Sequence, residues 1–207
     1  MMRADDILGR VPLVARAGLA ALVLCGLILA MVVERASILR NGATVRLATT
    51  PVDPRDLFRG DYVVLSYEIG EINLTRIGAP TDTAMRGIVH VGVRPAADGK
   101  AEVVKLVQDG LVQGAQARDP GLVWLKATAF GTYDCQMQTR SNCAQGDTIT
   151  RVTYGLESYF VPQGEGRRIE TTEASRVEVI AAVTASGKSA IKSLLIDGKP
   201  VYDEPPY

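Results

Sequence analysis

The chain is predicted to be mainly β: an N-terminal transmembrane helix followed by a duplicated, hairpin-rich β domain, folded as a sandwich or a partly closed barrel. Three features predict this. Ala17–Val33 is a run of 17 residues without a charge. From residue 41 onward Val, Ile and Thr alternate with polar residues, and Gly- or Asp-rich turns recur about every eight to twelve positions. The third feature is a hairpin pattern that occurs twice.

The uncharged run spans roughly 26 Å as a helix, and flanking arginines with Val11–Ala15 extend it to membrane length. A cleaved signal peptide would need small residues just after the run, which instead ends Ala-Met-Val-Val-Glu. A lipoprotein cysteine would lie at its end, whereas Cys25 lies in the middle behind Leu24. The run is therefore expected to be an uncleaved anchor, residues 1–40 forming a cytoplasmic N-terminus and a helix over about 12–36. Arg3, Arg10 and Arg16 precede the helix, and Arg35, Arg40 and Arg46 follow it, so positive charge does not orient it. Cys135 and Cys143 do. Separated by seven residues in a polar loop, they form a candidate disulfide worth on the order of 2–3 kcal/mol in an oxidising compartment. They make a poor zinc site in the cytosol. The domain is expected outside the cytoplasm.

Charge excludes some classes. Lys+Arg and Asp+Glu both total 23 in 207 residues, so no field attracts nucleic acid. An apolar share of 47% argues against disorder.

Val89–Gly110 and Val177–Gly198 align without a gap at a shift of 88, with eight of 22 pairs identical. Among these are Val89/Val177, Val91/Val179, Gly99/Gly187, Lys100/Lys188 and Leu106/Leu194. Upstream, Val45–Thr50 matches Val123–Thr128 at a shift of 78, and Gly60-Asp61 matches Gly146-Asp147 at 86. The pattern reads as a β domain over 41–198, built of tandem copies over 41–110 and 119–198, with a tail over 199–207. One copy is too small to bury its apolar faces, and two packed face to face share a core.

The first copy's loop, Pro51–Arg59, is stiffened by two prolines. Next come Gly60 and Asp61, suited to a turn, and a strand with Val63, Leu65 and Tyr67 on one face and Tyr62, Val64 and Ser66 on the other. Asp53, Arg55, Asp56, Arg59 and Asp61 converge within nine positions and, with Tyr62, form the candidate binding surface. Their charges nearly balance, so internal pairing explains them better than a bound cation. No calcium loop is present, and neither metal nor cofactor is expected.

Gly60, Asp61, Tyr62, Leu65 and Tyr67 fill every fixed position of the motif that names the GDYXXLXY family. Together with Pro54–Arg59 and Tyr154–Pro162, they make the chain resemble that bacterial family, whose biochemical role is not established. The resemblance implies a small membrane-anchored bacterial protein with a multi-pass membrane protein as a partner. Taken with the cysteines, the expected place is the bacterial inner (cytoplasmic) membrane, the C-terminal domain on the periplasmic or extracytoplasmic side. No catalytic residue comes with it.

Leu57–Leu65 also looks like the Leu-x-x-Gly-Asp turn and strand of serine–lysine signal peptidases. The nucleophilic serine would fall near Thr49–Asp53, where only Thr49 and Thr50 carry hydroxyls, so no activated nucleophile is expected. His90 has no second ligand in the pattern. Ser186-Gly-Lys-Ser189 reads as a hairpin turn rather than a phosphate loop, and Gly164–Arg168 as a solvated turn. The expectation is a non-catalytic, membrane-anchored β domain that binds a neighbouring membrane protein. Its rivals are a signal-peptidase-like hydrolase and an envelope structural protein.

Overall fold

The computed structural model describes residues 12–50, 62–81, 85–135, 143–160, 169 and 172–205. Helix α1 (Leu13–Asn41) is followed by strands β1 (Ala43–Thr50), β2 (Tyr62–Val64), β3 (Ser66–Tyr67), β4 (Glu71–Asn73), β5 (Arg86–Pro95) and β6 (Ala101–Gln108). A short helix α2 (Val112–Arg118) leads to β7 (Val123–Asp134), β8 (Thr148–Thr153), β9 (Ser158–Phe160), β10 (Val177–Val183), β11 (Ser189–Ile196) and β12 (Lys199–Asp203). The protein is mainly β, as predicted.

Two compact units divide after Ser37. In the first, α1 exposes large apolar side chains on all sides from Leu19 to Val33. A helix apolar all round has no polar face to give to water, and this one is long and apolar enough to cross a membrane. The second unit begins with the last turn of α1, five residues beyond the end predicted from sequence. Ile38 and Leu39 keep that turn helical by packing on Ala182 and Ala190. Gly42 then joins α1 to β1 where no side chain fits. A Cβ there would stand 2.7 Å from the Ile38 carbonyl oxygen and 2.8 Å from the Val183 nitrogen.

The β unit holds two five-stranded antiparallel sheets, ordered β12-β11-β10-β1-β3 and β4-β8-β7-β5-β6, and a β2-β9 ribbon. Their inner faces share one core, in which Leu47, Val179 and Leu194 of the first sheet join Val89, Val91 and Leu125 of the second.

The twin hairpins adopt one geometry. Val91 faces Leu106 and Val93 faces Val103, while Val179 faces Leu194 and Ala181 faces Ile191. Each register slips at the same step, between Gly92 and Val93 and between Ile180 and Ala181. Both turns need glycine, at φ +79° for Gly99 and +86° for Gly187. The shift of 88 therefore holds in three dimensions.

The pairing of the first strands differs from two modules each folding on itself. β1 lies against β10, with Val45 facing Ala181 and Leu47 facing Val179. β7 lies against β5, with Val123 facing Val93 and Leu125 facing Val91. Each half's first strand thus completes the other half's hairpin, in equivalent register. Neither half is self-contained.

The predicted tail over 199–207 is also corrected. Lys199–Asp203 form β12 on β11, because Val201 and Tyr202 pack on the core. Tyr202 meets Tyr159 edge to face, with ring centroids 5.8 Å apart.

Candidate functional surface at the motif strand

The second half of the motif is a packing device. Leu65 and Tyr67 are buried, on the face that alternation predicted. The Tyr67 hydroxyl donates to the Leu156 carbonyl at 2.6 Å, and the Tyr154 hydroxyl donates to the Ile69 carbonyl at 2.7 Å. Tyr67 and Tyr154 stand 87 residues apart, as do the accepting Ile69 and Leu156. The two bonds form one reciprocal interaction, each tyrosine donating to the carbonyl two residues beyond the other. Burial, and secondly the Glu157 charge, push both hydroxyls well above the ordinary tyrosine range.

The same shift of 87 maps β2 paired with β9 onto β8 paired with β4. Tyr62 faces Phe160 and Val64 faces Ser158, while Ile149 faces Asn73 and Arg151 faces Glu71. Aligning Gly60-Asp61 with Gly146-Asp147 at 86 is one residue out of this register. A one-residue slip would turn every side chain to the opposite face. The buried pairs Leu65/Val152 and Tyr67/Tyr154 enforce 87 instead. The signal was present in sequence as Leu-x-Tyr against Val-x-Tyr, but a Gly-Asp identity outweighed it.

The candidate charges Asp53, Arg55, Asp56, Arg59 and Asp61, together with Gly60, lie outside the described residues. Tyr62, the remaining candidate, opens β2. Beside it, Val64 and Phe160 are exposed apolar residues, and sequence reading did not single out Phe160.

At the matching place in the second half, Cys135 and Cys143 are paired as a disulfide, with Cα atoms 5.9 Å apart. The Cys135 N–H donates to the Asp147 carbonyl at 2.8 Å, and the Gly146 N–H to the Cys135 carbonyl at 3.2 Å. The Asp147 carboxylate accepts from the Ala144 N–H at 3.0 Å and from Asn73 Nδ2 at 2.6 Å. These two donors, the backbone one first, hold its carboxyl below the ordinary range. Asp147 thereby ties Ala144 to the end of β4.

The other singled-out residues are placed as follows. Thr49 is buried, its hydroxyl donating to the Val177 carbonyl at 2.8 Å. His90 is buried with Nε2 2.7 Å from Asp109 Oδ1. It occupies the position of Glu178 in the twin hairpin, where Arg46 Nε donates to Glu178 Oε2 at 2.7 Å. Ser186–Lys188 form the β10–β11 turn, and Gly164–Arg168 lie outside the described residues. Among the described residues, no three His, Cys, Asp or Glu side chains gather as a metal site.

No curated protein and no solved structure matches the chain. Residues 24–194 match the model of the GDYXXLXY protein family. With the motif's Leu65 and Tyr67 at the centre of the core and the match covering most of its length, the protein belongs to the GDYXXLXY family.

Proposed function

We propose that the chain is a single-pass protein of the bacterial cytoplasmic membrane. Its β domain stands on the extracytoplasmic side and works by binding a neighbouring membrane protein, without catalysis. The observation that carries this is the joining of a helix apolar on every side to a β domain, with Gly42 alone between α1 and β1. Such a tether confines the domain to the bilayer surface and raises its effective concentration toward other membrane proteins. The Cys135–Cys143 pairing supports an oxidising compartment. The exposed apolar residues Val64 and Phe160 beside the motif support a contact surface there. Thr49, one of the two hydroxyls near the expected nucleophile position, donates to a backbone carbonyl, which favours binding over hydrolysis.

We further infer that the two halves arose by internal duplication. The three shifts of 78, 87 and 88, each preserved in strand register, support this origin. On this account the motif loop and the cysteine loop are equivalents, and both belong to the contact surface. Photo-crosslinking from the Pro51–Tyr62 loop in native membranes tests the binding reading. Capture of a membrane protein, abolished by alanine at Arg55, Asp56 and Arg59, is the expected result. Capture unchanged by those substitutions would refute the assignment of the surface.

A further inference from the structure

Each half's hairpin turn rests on the other half at an equivalent place. The β5–β6 turn brings Lys100 to Glu178, with Nζ 3.8 Å from Oε1, where Arg46 also donates. The β10–β11 turn sits on His90, which the shift of 88 maps onto Glu178. Gly187 of that turn has no room for a side chain: a Cβ would stand 3.2 Å from His90 Nδ1 and 3.0 Å from the Lys126 nitrogen. The Lys126 N–H donates to the Gly187 carbonyl at 2.8 Å, and Gln116 Nε2 to the Ala185 carbonyl at 3.2 Å. The two contacts differ in charge. A carboxylate meets cations in one, and an imidazole meets glycine backbone in the other.

Hydrogen bonding decides which nitrogen of His90 is bare. Nε2 lies 2.7 Å from Asp109 Oδ1, and an ionised carboxylate only accepts. Nε2 therefore carries the hydrogen, and Nδ1 meets the turn without one. A second proton, which an ordinary imidazole gains near about pH 6.5, goes to Nδ1. It creates a cation and a donor in a buried place, against backbone that supplies no counter-charge. β5, β6, β7 and the β10–β11 turn are all described, and among the described residues no hydrogen-bond partner reaches Nδ1. Charged groups around the site are Asp109, Lys126 opposite His90 on β7, Lys188 in the turn, Arg118 in the last turn of α2 and the Lys105–Asp119 pair. The Asp109 side chain is more than half exposed, so water screens its pull on an imidazolium. Lys126 and Lys188 oppose a further positive charge.

We propose that the β10–β11 turn is an acid-sensitive latch between the two sheets, closed while His90 is neutral and released when Nδ1 takes a proton. Release breaks the Lys126–Gly187 and Gln116–Ala185 bonds. It also opens the surroundings of Trp124, a buried residue whose ring packs over Gly92, where a Cβ would stand 3.1 Å from it. The latch is a property of the fold and stands apart from any partner of the domain.

His90 and Trp124 are the chain's sole histidine and tryptophan, so the unaltered full chain in detergent micelles reports both events. Imidazole nitrogen resonances follow Nδ1, and acrylamide quenching of Trp124 follows the latch, from about pH 8 to about pH 5. The quenching constant should rise at least about threefold, and the Lys126 amide, corrected for its intrinsic rate, should exchange about tenfold faster. Both changes should share the midpoint of the imidazole titration, with far-UV circular dichroism unchanged. His90→Gln keeps an N–H toward Asp109 and does not titrate, so it should leave both readouts flat. Quenching and exchange that stay constant while the imidazole protonates would overturn the proposal. So would a midpoint more than about half a pH unit from that of the imidazole, the same transition in His90→Gln, or loss of the circular-dichroism signal over the same range.

Discussion

The reciprocal tyrosine bonds make a quantitative prediction. Tyr67→Phe and Tyr154→Phe each remove one buried hydroxyl and leave one carbonyl, that of Leu156 or of Ile69, without its donor. Losing such a bond and stranding its acceptor costs about 1–2 kcal/mol. For a chain of this size that lowers the midpoint of thermal unfolding by roughly 2–8 °C. Because the halves are equivalent here, the two variants should cost nearly the same. Each accepting carbonyl lies two residues beyond the other tyrosine, so the bonds share two short segments. The double variant should depart from additivity by more than about 0.5 kcal/mol. Alkali gives a second readout. Both hydroxyls are held above their ordinary range, so the folded state keeps protons that the unfolded chain releases above about pH 10. Their contribution is complete below that pH and declines above it, by about 1.4 kcal/mol per pH unit for each ring. Thermal and urea unfolding of the full chain in detergent micelles, from pH 8 to about 11.5, measures both effects. The double variant should lose most of the alkaline slope. A large cost for one hydroxyl and none for the other, or an unchanged slope in the double variant, would refute the reciprocity of the two bonds.

Other perturbations probe separate features. Leu47→Ala and Leu125→Ala, equivalent and fully buried positions of the two sheets, should each destabilise by about 2–5 kcal/mol in urea unfolding. Gly42→Ala should cost about 1–3 kcal/mol, since its Cβ would meet the Ile38 oxygen and the Val183 nitrogen; this is read by the same method. Thiol labelling of protein taken from its native membrane and then denatured should modify Cys25 alone until a reductant is added. Reduction of the folded protein should weaken the domain by on the order of 2–3 kcal/mol.

Local chemistry made much of the fold legible. The turns at Gly99 and Gly187, the alternation in β5, β6, β10 and β11, and the apolar run of α1 are each encoded within a few residues. The inward face of Leu65 and Tyr67 was legible for the same reason. The candidate loop, Asp53 to Asp61, is legible only as charge and lies outside the described residues. Phe160 escaped notice because nothing in its own neighbourhood marks it. Its significance comes from facing Tyr62, almost a hundred positions away.

What the amino-acid order determined alone was an apolar helix, two like hairpins and a repeated framework, since period and turn residues act over short range. Tertiary structure decided which hairpin each first strand joins. It also decided the register of 87 rather than 86, and the recruitment of Lys199–Asp203 as a strand. These outcomes turn on burying Leu65, Tyr67, Val152 and Tyr154 in one shared core, and on closing edges that no short segment can sense.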